Sequence, residues 1–144
     1  QMINQAGGHN VIESDMQVED SDYADAEAVI NSNPDVVIKT VYRDQKDGIM
    51  ADNYLPPEEA DYTFAKEEMK SREGFSKMKA IEDDNIIMCS DFCLRGGGNT
   101  VGLAFFAKWL HPDLFEDFDA YEIFDQWMTE FQNMDAIEGH VYEG

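Results

Sequence analysis

Two short runs of the chain are rich in β-branched and other apolar residues. Residues 35–42 read DVVIKTVY, and residues 85–90 read NIIMCS. The β-branched residues of the first run are typical of a strand that is buried on both faces, as in a parallel sheet. The pattern therefore predicts two strands, with a long polar segment between them.

Elsewhere the apolar residues recur with helical spacing. The predicted helices cover residues 25–33, 57–74, 100–111 and 119–134, and residues 1–6 form the tail of a helix that two glycines end. The second of these helices is indicated by Pro57 at its start, acids in its first turn and Gly74 at its end. The last helix carries a stripe of large side chains that is most simply core. The stripe consists of Tyr121, Phe124, Trp127, Met128 and Phe131.

Strands that alternate with helices are typical of an α/β fold with a mainly parallel sheet. The expected fold class is therefore α/β, a three-layer sandwich, and 144 residues fit a single domain over residues 1–144. The acidic segment 9–25 is expected to be irregular, with a short strand near residues 16–18. Residues 140–144 are expected to form a tail.

The charge balance excludes several classes of partner. The chain has 31 acidic against 10 basic residues and a net charge of −21. A nucleic acid partner is excluded because its phosphates must be neutralised by Lys and Arg, and an anionic membrane surface is disfavoured for the same reason. Such acidity favours a monomer.

Candidate binding residues follow the two predicted strands. Ligands of open α/β sheets bind outside the carboxyl ends of the strands, which here points to residues 40–44 and 90–99. Tyr42 and Arg43 pair an aromatic ring with a guanidinium, a combination that suits a planar or anionic ligand. The alternative is a solvated loop.

The second loop ends in RGGGNTV, from Arg95 to Val101. This stretch lacks the Gly-Lys-Ser/Thr of a phosphate-binding P-loop, and Val101 takes the last glycine position of a dinucleotide fingerprint. Two roles stay open: backbone N–H groups that bind an anion beside Arg95, or a turn that lets the following helix pack closely.

No residue pattern indicates catalysis, a bound metal or a cofactor. The three histidines are far apart in sequence, and the acidic segment lacks the ligand spacing of a calcium loop. Cys89 and Cys93 have no second ligand pair for zinc. They form either a disulfide or a pair of unlinked thiols, one in the strand and one in the loop.

The order of several segments resembles the C-terminal lobe of the substrate-binding proteins of iron-complex and cobalamin-type (class III) ABC importers. The segments are AGGHN at residues 6–10, NPD at 33–35 before a β-branched strand, SREGFSKMKAI at 71–81, and AKWLHPDLF at 107–115. The resemblance covers nearly the whole chain. It implies a Rossmann-like lobe of a two-lobed periplasmic binding protein, with the N-terminal lobe outside this sequence.

The resemblance also implies roles for individual residues. Cleft loops of this lobe contact the ligand in the family, which assigns Tyr42, Arg43, Asp91, Phe92 and Arg95 to ligand binding. A glutamate before the NPD segment typically docks on the permease. That residue is Glu27 here, with its neighbour Asp25 as the alternative.

The function that the resemblance implies is extracytoplasmic solute capture, in the periplasm or at the cell surface. A lipid anchor upstream is one way to hold the protein there. The expected ligand is an iron complex such as a siderophore or haem, a corrinoid, or a related metal or oxyanion ligand, and the expected partner is an ABC permease in the membrane. A surface interaction or haem-relay module of the same fold is the alternative, and a chelatase-like enzyme is the third hypothesis.

Overall fold

The computed structural model describes residues 2–14, 25–44, 55–95 and 98–142. Its α-helices are α1 (Met2–Gln5), α2 (Val11–Ser14), α3 (Ala26–Ser32), α4 (Glu59–Ser71), α5 (Lys79–Glu82), α6 (Gly98–Leu110) and α7 (Ala120–Gln126). The strands are β1 (Val37–Val41), β2 (Ile86–Ser90) and β3 (Val141–Tyr142). The predicted strand near residues 16–18, like the rest of segment 15–24, lies outside the described residues.

The sheet formed by the described residues has three strands in the order β1-β2-β3. β1 and β2 are parallel, from Val37 opposite Ile86 to Val41 opposite Ser90. β3 is antiparallel to β2 and places Val141 opposite Cys89. The prediction of a mainly parallel sheet is confirmed. The prediction of a C-terminal tail is wrong, because a two-residue strand is too short to show any periodicity in the sequence.

β1 is less buried than its sequence predicts. Val37 to Thr40 are half-buried, and Val41 is the buried residue of the strand. β1 lies at an edge of the described sheet, whereas β2 lies between two strands and has four of its five residues buried. Both faces of β1 are packed, with Ile38 against one cluster and Val37 and Val41 in the other, but the burial is only partial because an edge strand has a neighbouring strand on one side only.

Helices cover both faces of the sheet. On one face, Met88 of β2 packs in a cluster with Tyr62 and other residues of α4. On the other face, Cys89 packs with Phe105 of α6 and Phe124 of α7. Successive side chains of a strand point to opposite faces, so neighbouring β2 residues contribute to different clusters. The predicted three-layer α/β sandwich is confirmed.

The helices predicted near residues 25–33 and 57–74 begin at acidic caps. Asp25 precedes α3, and its side chain accepts a hydrogen bond from the Ala28 N–H at 2.9 Å. Before α4, the Glu58 N–H donates to the Asp61 carboxylate at 3.0 Å. Such bonds satisfy N–H groups that have no partner within the helix.

The last predicted helix consists of α7 and a π-helical segment, Trp127–Gln132. Phe124 and Met128 are buried, but Phe131 is 72% exposed. A π-helical turn contains more residues than an α-helical turn, so Phe131 lies off the apolar stripe. The predicted core role is therefore wrong for Phe131. Tyr121, which is 40% exposed, contacts the core through the edge of its ring at Phe105.

Candidate functional site

The two loops that contain the predicted residues begin at the same end of the sheet. Val41 is paired with Ser90, so Tyr42 and Asp91, which follow them directly, leave the sheet side by side. β3 is antiparallel, and the carbonyl of His140 just before it accepts the Ser90 N–H at 2.7 Å. We call this end of the sheet, where β1 and β2 finish and β3 begins, the carboxyl edge. It is the place where open α/β sheets bind their ligands.

Arg43 connects the carboxyl edge to the segment just before α4. Its guanidinium donates to the Pro56 carbonyl at 3.0 Å and to the Glu58 carboxylate at 2.7 Å. The side chain is 29% exposed. Two of its donor groups are therefore committed to the segment before α4, although part of the guanidinium still faces solvent.

Asp91 and Arg95 form an ion pair across the turn that follows β2. The Arg95 Nε lies 2.6 Å from the Asp91 Oδ2. Asp91 is only 6% exposed at its side chain, whereas Arg95 is 73% exposed. The buried carboxylate orients one side of the guanidinium and leaves the rest of it in solvent, where it can contact a ligand.

Phe92 lies beneath the carboxyl edge in an aromatic group. Its ring centroid is 4.5 Å from His140, 5.6 Å from Phe124 and 5.8 Å from Trp127. Phe92 is half-buried, so part of it remains available at the surface. Tyr42 is half-buried as well. The two predicted aromatic residues thus line the edge rather than project freely from it.

Ser90 and His140 form a buried pair that the sequence did not reveal. The Ser90 Oγ lies 2.7 Å from the His140 Nδ1, and the residues are 4% and 5% exposed. Burial lowers the pKa of His140 from its ordinary value of 6.5 to about 4, because a charged imidazolium would lose its hydration. The pair joins β2 to the start of β3, and its imidazole packs against the ring of Phe92.

Tyr62 makes a second connection to the start of β3. Its hydroxyl donates to the Gly139 carbonyl at 2.7 Å, and its ring stacks on Tyr142 at 5.0 Å. Burial raises the pKa of Tyr62 well above its ordinary value, so it remains a neutral hydrogen-bond donor. Tyr62 and Gly139 are 77 residues apart, and no sequence pattern links them.

The glycine stretch has a packing role at its described end. A Cβ at Gly98 would collide with the Phe92 carbonyl oxygen. Gly96 and Gly97 lie outside the described residues. Close approach of α6 to the preceding turn therefore explains why Gly98 is a glycine, and this agrees with the packing alternative.

Cys89 and Cys93 are both buried and unlinked. The Cys93 thiol donates to the His140 carbonyl at 3.7 Å. A hydrogen bond with Cys89, together with burial, raises the pKa of Cys93, so its thiol stays protonated. Of the two alternatives, the structure shows the pair of free thiols.

The two predicted docking carboxylates lie at the start of α3. Asp25 and Glu27 are both exposed. Asp25 caps the helix through its bond to the Ala28 N–H, whereas Glu27 lies in the first turn. The two residues are neighbours at the helix start but differ in their structural role.

Two further observations concern the chemistry available to this region. In the described ranges no three metal-ligating side chains cluster. The hydroxyl and imidazole of the Ser90–His140 pair are buried, so they hold the edge together rather than meet a solute. None of the helices in the described part of the chain is long and apolar enough to cross a membrane.

Comparisons with known proteins define the fold. No family model matches the sequence. No curated protein matches it either. Among solved structures, the chain is similar to the TroA-like periplasmic binding protein FepB from Veillonella parvula, with a TM-score of 0.80 and 19% sequence identity. The match covers 98% of this chain and 40% of that one. The chain therefore has the fold of one lobe of a periplasmic binding protein, as the sequence resemblance implied.

Proposed function

We propose that residues 1–144 form the C-terminal lobe of a two-lobed extracytoplasmic solute-binding protein, which delivers its ligand to an ABC permease. What supports this is the carboxyl edge, where Tyr42 and Asp91 follow the paired residues Val41 and Ser90, and where Asp91 holds the exposed Arg95 in an ion pair. In this proposal the second lobe closes over that edge, and the protein acts as a monomer without a cofactor.

The proposed ligand carries negative groups on an extended or planar body. Arg95 presents a solvent-exposed guanidinium, which binds carboxylates and other oxyanions with two parallel hydrogen bonds. The rings of Phe92 and Tyr42 lie in the same region and suit flat groups. An iron–siderophore complex, haem or a corrinoid meets this description. A metal oxyanion is the smaller alternative, which a guanidinium binds by charge and hydrogen bonds alone.

A ligand titration of the full-length protein that carries this lobe tests the proposal. We expect one ligand of a panel to bind tightly and the Arg95→Ala variant to bind it about tenfold more weakly, because one charge-assisted contact is lost. The panel contains haem, cobalamin, ferric siderophores, molybdate and tungstate. Binding is followed by tryptophan fluorescence and visible absorbance.

Arg72→Ala is the matched control for this titration. Arg72 follows α4 directly, is exposed and pairs with Glu68, so its removal deletes the same charge away from the carboxyl edge. An equal loss of affinity in both variants would show that Arg95 acts through net charge alone. No binding across the panel would contradict solute capture of these classes.

Docking on the permease is tested at the start of α3. We expect Glu27→Lys to reduce uptake by about tenfold in a transport assay, because a carboxylate that pairs with a permease cation becomes repulsive. Asp25→Ser retains a helix-capping side chain and removes only the charge, so it tests Asp25 without loss of the helix. Glu67→Lys, exposed on α4, is the matched control. Full uptake in both the Glu27 and the Asp25 variant would disprove docking through α3.

A further inference from the structure

The C-terminal part of the chain has carboxylates without basic neighbours in sequence. Residues 109–142 contain no Lys or Arg. Their nine acids are Asp113, Glu116, Asp117, Asp119, Glu122, Asp125, Glu130, Asp135 and Glu138, all of them exposed. In the part of the chain that the structure describes, ion pairs use carboxylates between residues 35 and 91. The region thus concentrates negative charge that the described fold does not neutralise.

Part of this region combines the charge with an exposed apolar surface. Residues 113–118, which we call the acidic loop, line a shallow cavity of about 410 Å³. Leu114 is 77% exposed, the most exposed of the large apolar side chains in the described chain. Phe115 and Phe118 pack edge to face at 5.6 Å and are half-buried beside it. Asp113, Glu116 and Asp117 surround these apolar groups.

The acidic loop lies away from the carboxyl edge. α6 begins just after the turn that follows β2 and runs for 13 residues, or about 20 Å. The loop follows the far end of α6, so it is separated from the candidate ligand residues by the length of that helix. It also lies on the α6–α7 side of the sheet, whereas α3, with Glu27, packs on the opposite face.

The charge of the molecule selects the kind of partner that can cover this surface. A second copy of the chain would bring another 21 negative charges and is repelled, as are nucleic acid and anionic lipid. A basic partner is attracted by the carboxylates, and an apolar residue opposite the exposed Leu114 would bury it. We infer that the acidic loop is a docking surface for a basic, amphipathic segment of another protein, separate from the solute site and from the start of α3.

The test uses two synthetic peptides of about 14 residues with equal charge, one with Lys and Leu in amphipathic helical spacing and one with Lys and Ser. We expect the Lys–Leu peptide to bind the full chain about tenfold more tightly than the Lys–Ser peptide by calorimetry. Leu114→Ser and the triple variant Asp113→Asn, Glu116→Gln, Asp117→Asn should each remove most of that advantage. All four side chains are exposed, so the fold is retained, which circular dichroism checks.

A matched set of variants lies on the other side of the sheet. Phe64→Ser removes an apolar side chain on α4 that is 41% exposed. The triple variant Glu67→Gln, Glu73→Gln, Glu82→Gln removes the same number of exposed carboxylates. We expect both to bind the Lys–Leu peptide as the wild type does. Equal losses in the two sets would overturn the inference in favour of unspecific charge attraction, and so would equal binding of the two peptides to the wild type.

Discussion

Replacement of Gly102 by alanine is expected to destabilise the fold by about 2–3 kcal/mol, even though alanine is the better helix former. Gly102 lies in α6, and a Cβ there would collide with the Cys93 carbonyl oxygen and approach the Met2 side chain to 2.9 Å. The carbonyl is backbone, in the turn between β2 and α6, and cannot rotate away. The helix must shift from the turn that holds Phe92, and the core beneath it opens. Urea unfolding followed by circular dichroism measures the loss.

Gly8→Ala is the matched control for this change. A Cβ at Gly8 would lie 2.9 Å from the Ile3 Cγ2 and Leu110 Cδ1 methyl groups and 3.2 Å from the Ile3 carbonyl oxygen, a milder approach to backbone than the collision at Gly102. We expect Gly8→Ala to lower the free energy of unfolding by less than about 1 kcal/mol. If Gly102→Ala is as stable as the wild type, the close contact of α6 with the turn is not a determinant of stability.

The elements with strong local patterns could be predicted from the sequence. β2 lies between two strands, so its residues are apolar almost without interruption and identify it directly. α4 has acids in its first turn and Gly74, with φ of 82°, just after its end. These signals act over a few residues, and the structure places β2 within one residue and α4 within three residues of the predicted bounds.

The parts of the site that join distant segments could not be predicted. Ser90 and His140 are 50 residues apart, and neither has a neighbour whose spacing indicates a pair. β3 is a strand because His140 and Val141 lie beside β2. This is a tertiary contact, and the sequence of a two-residue segment does not indicate it. Tyr62 reads as an apolar helix residue, and its bond to Gly139 exists only once β3 is in place.

Sequence position also could not separate the two candidate arginines. Arg43 and Arg95 each follow a strand and are equivalent in that pattern. In the structure Arg43 is bonded to the segment before α4 and is less exposed, whereas Arg95 is bonded to one buried carboxylate and is mostly in solvent. The local partners, not the loop position, make Arg95 the better probe of ligand binding.

Acidification is expected to remove about 3 kcal/mol of stability through His140, mostly between about pH 6.5 and pH 4. The folded protein holds His140 neutral because burial lowers its pKa to about 4, whereas the unfolded chain has the ordinary value of 6.5. Between these values the unfolded state binds more protons than the folded state, so stability falls as the pH falls. Below the lower value both states are protonated and the loss through His140 is complete. Urea unfolding over this pH range measures the change.

His140→Gln isolates this effect from the many carboxylates that also titrate in acid. A glutamine amide is polar and has no titrating group, so the acid loss of the variant should be smaller than that of the wild type by about 3 kcal/mol. His111→Gln is the matched control, because it removes an imidazole elsewhere and leaves the Ser90–His140 pair intact. Since Phe92 rests on the His140 ring at 4.5 Å, protonation should also loosen the carboxyl edge, and the fluorescence of nearby Trp127 should report it. Equal acid losses in wild type and His140→Gln would show that His140 is not kept neutral by the fold.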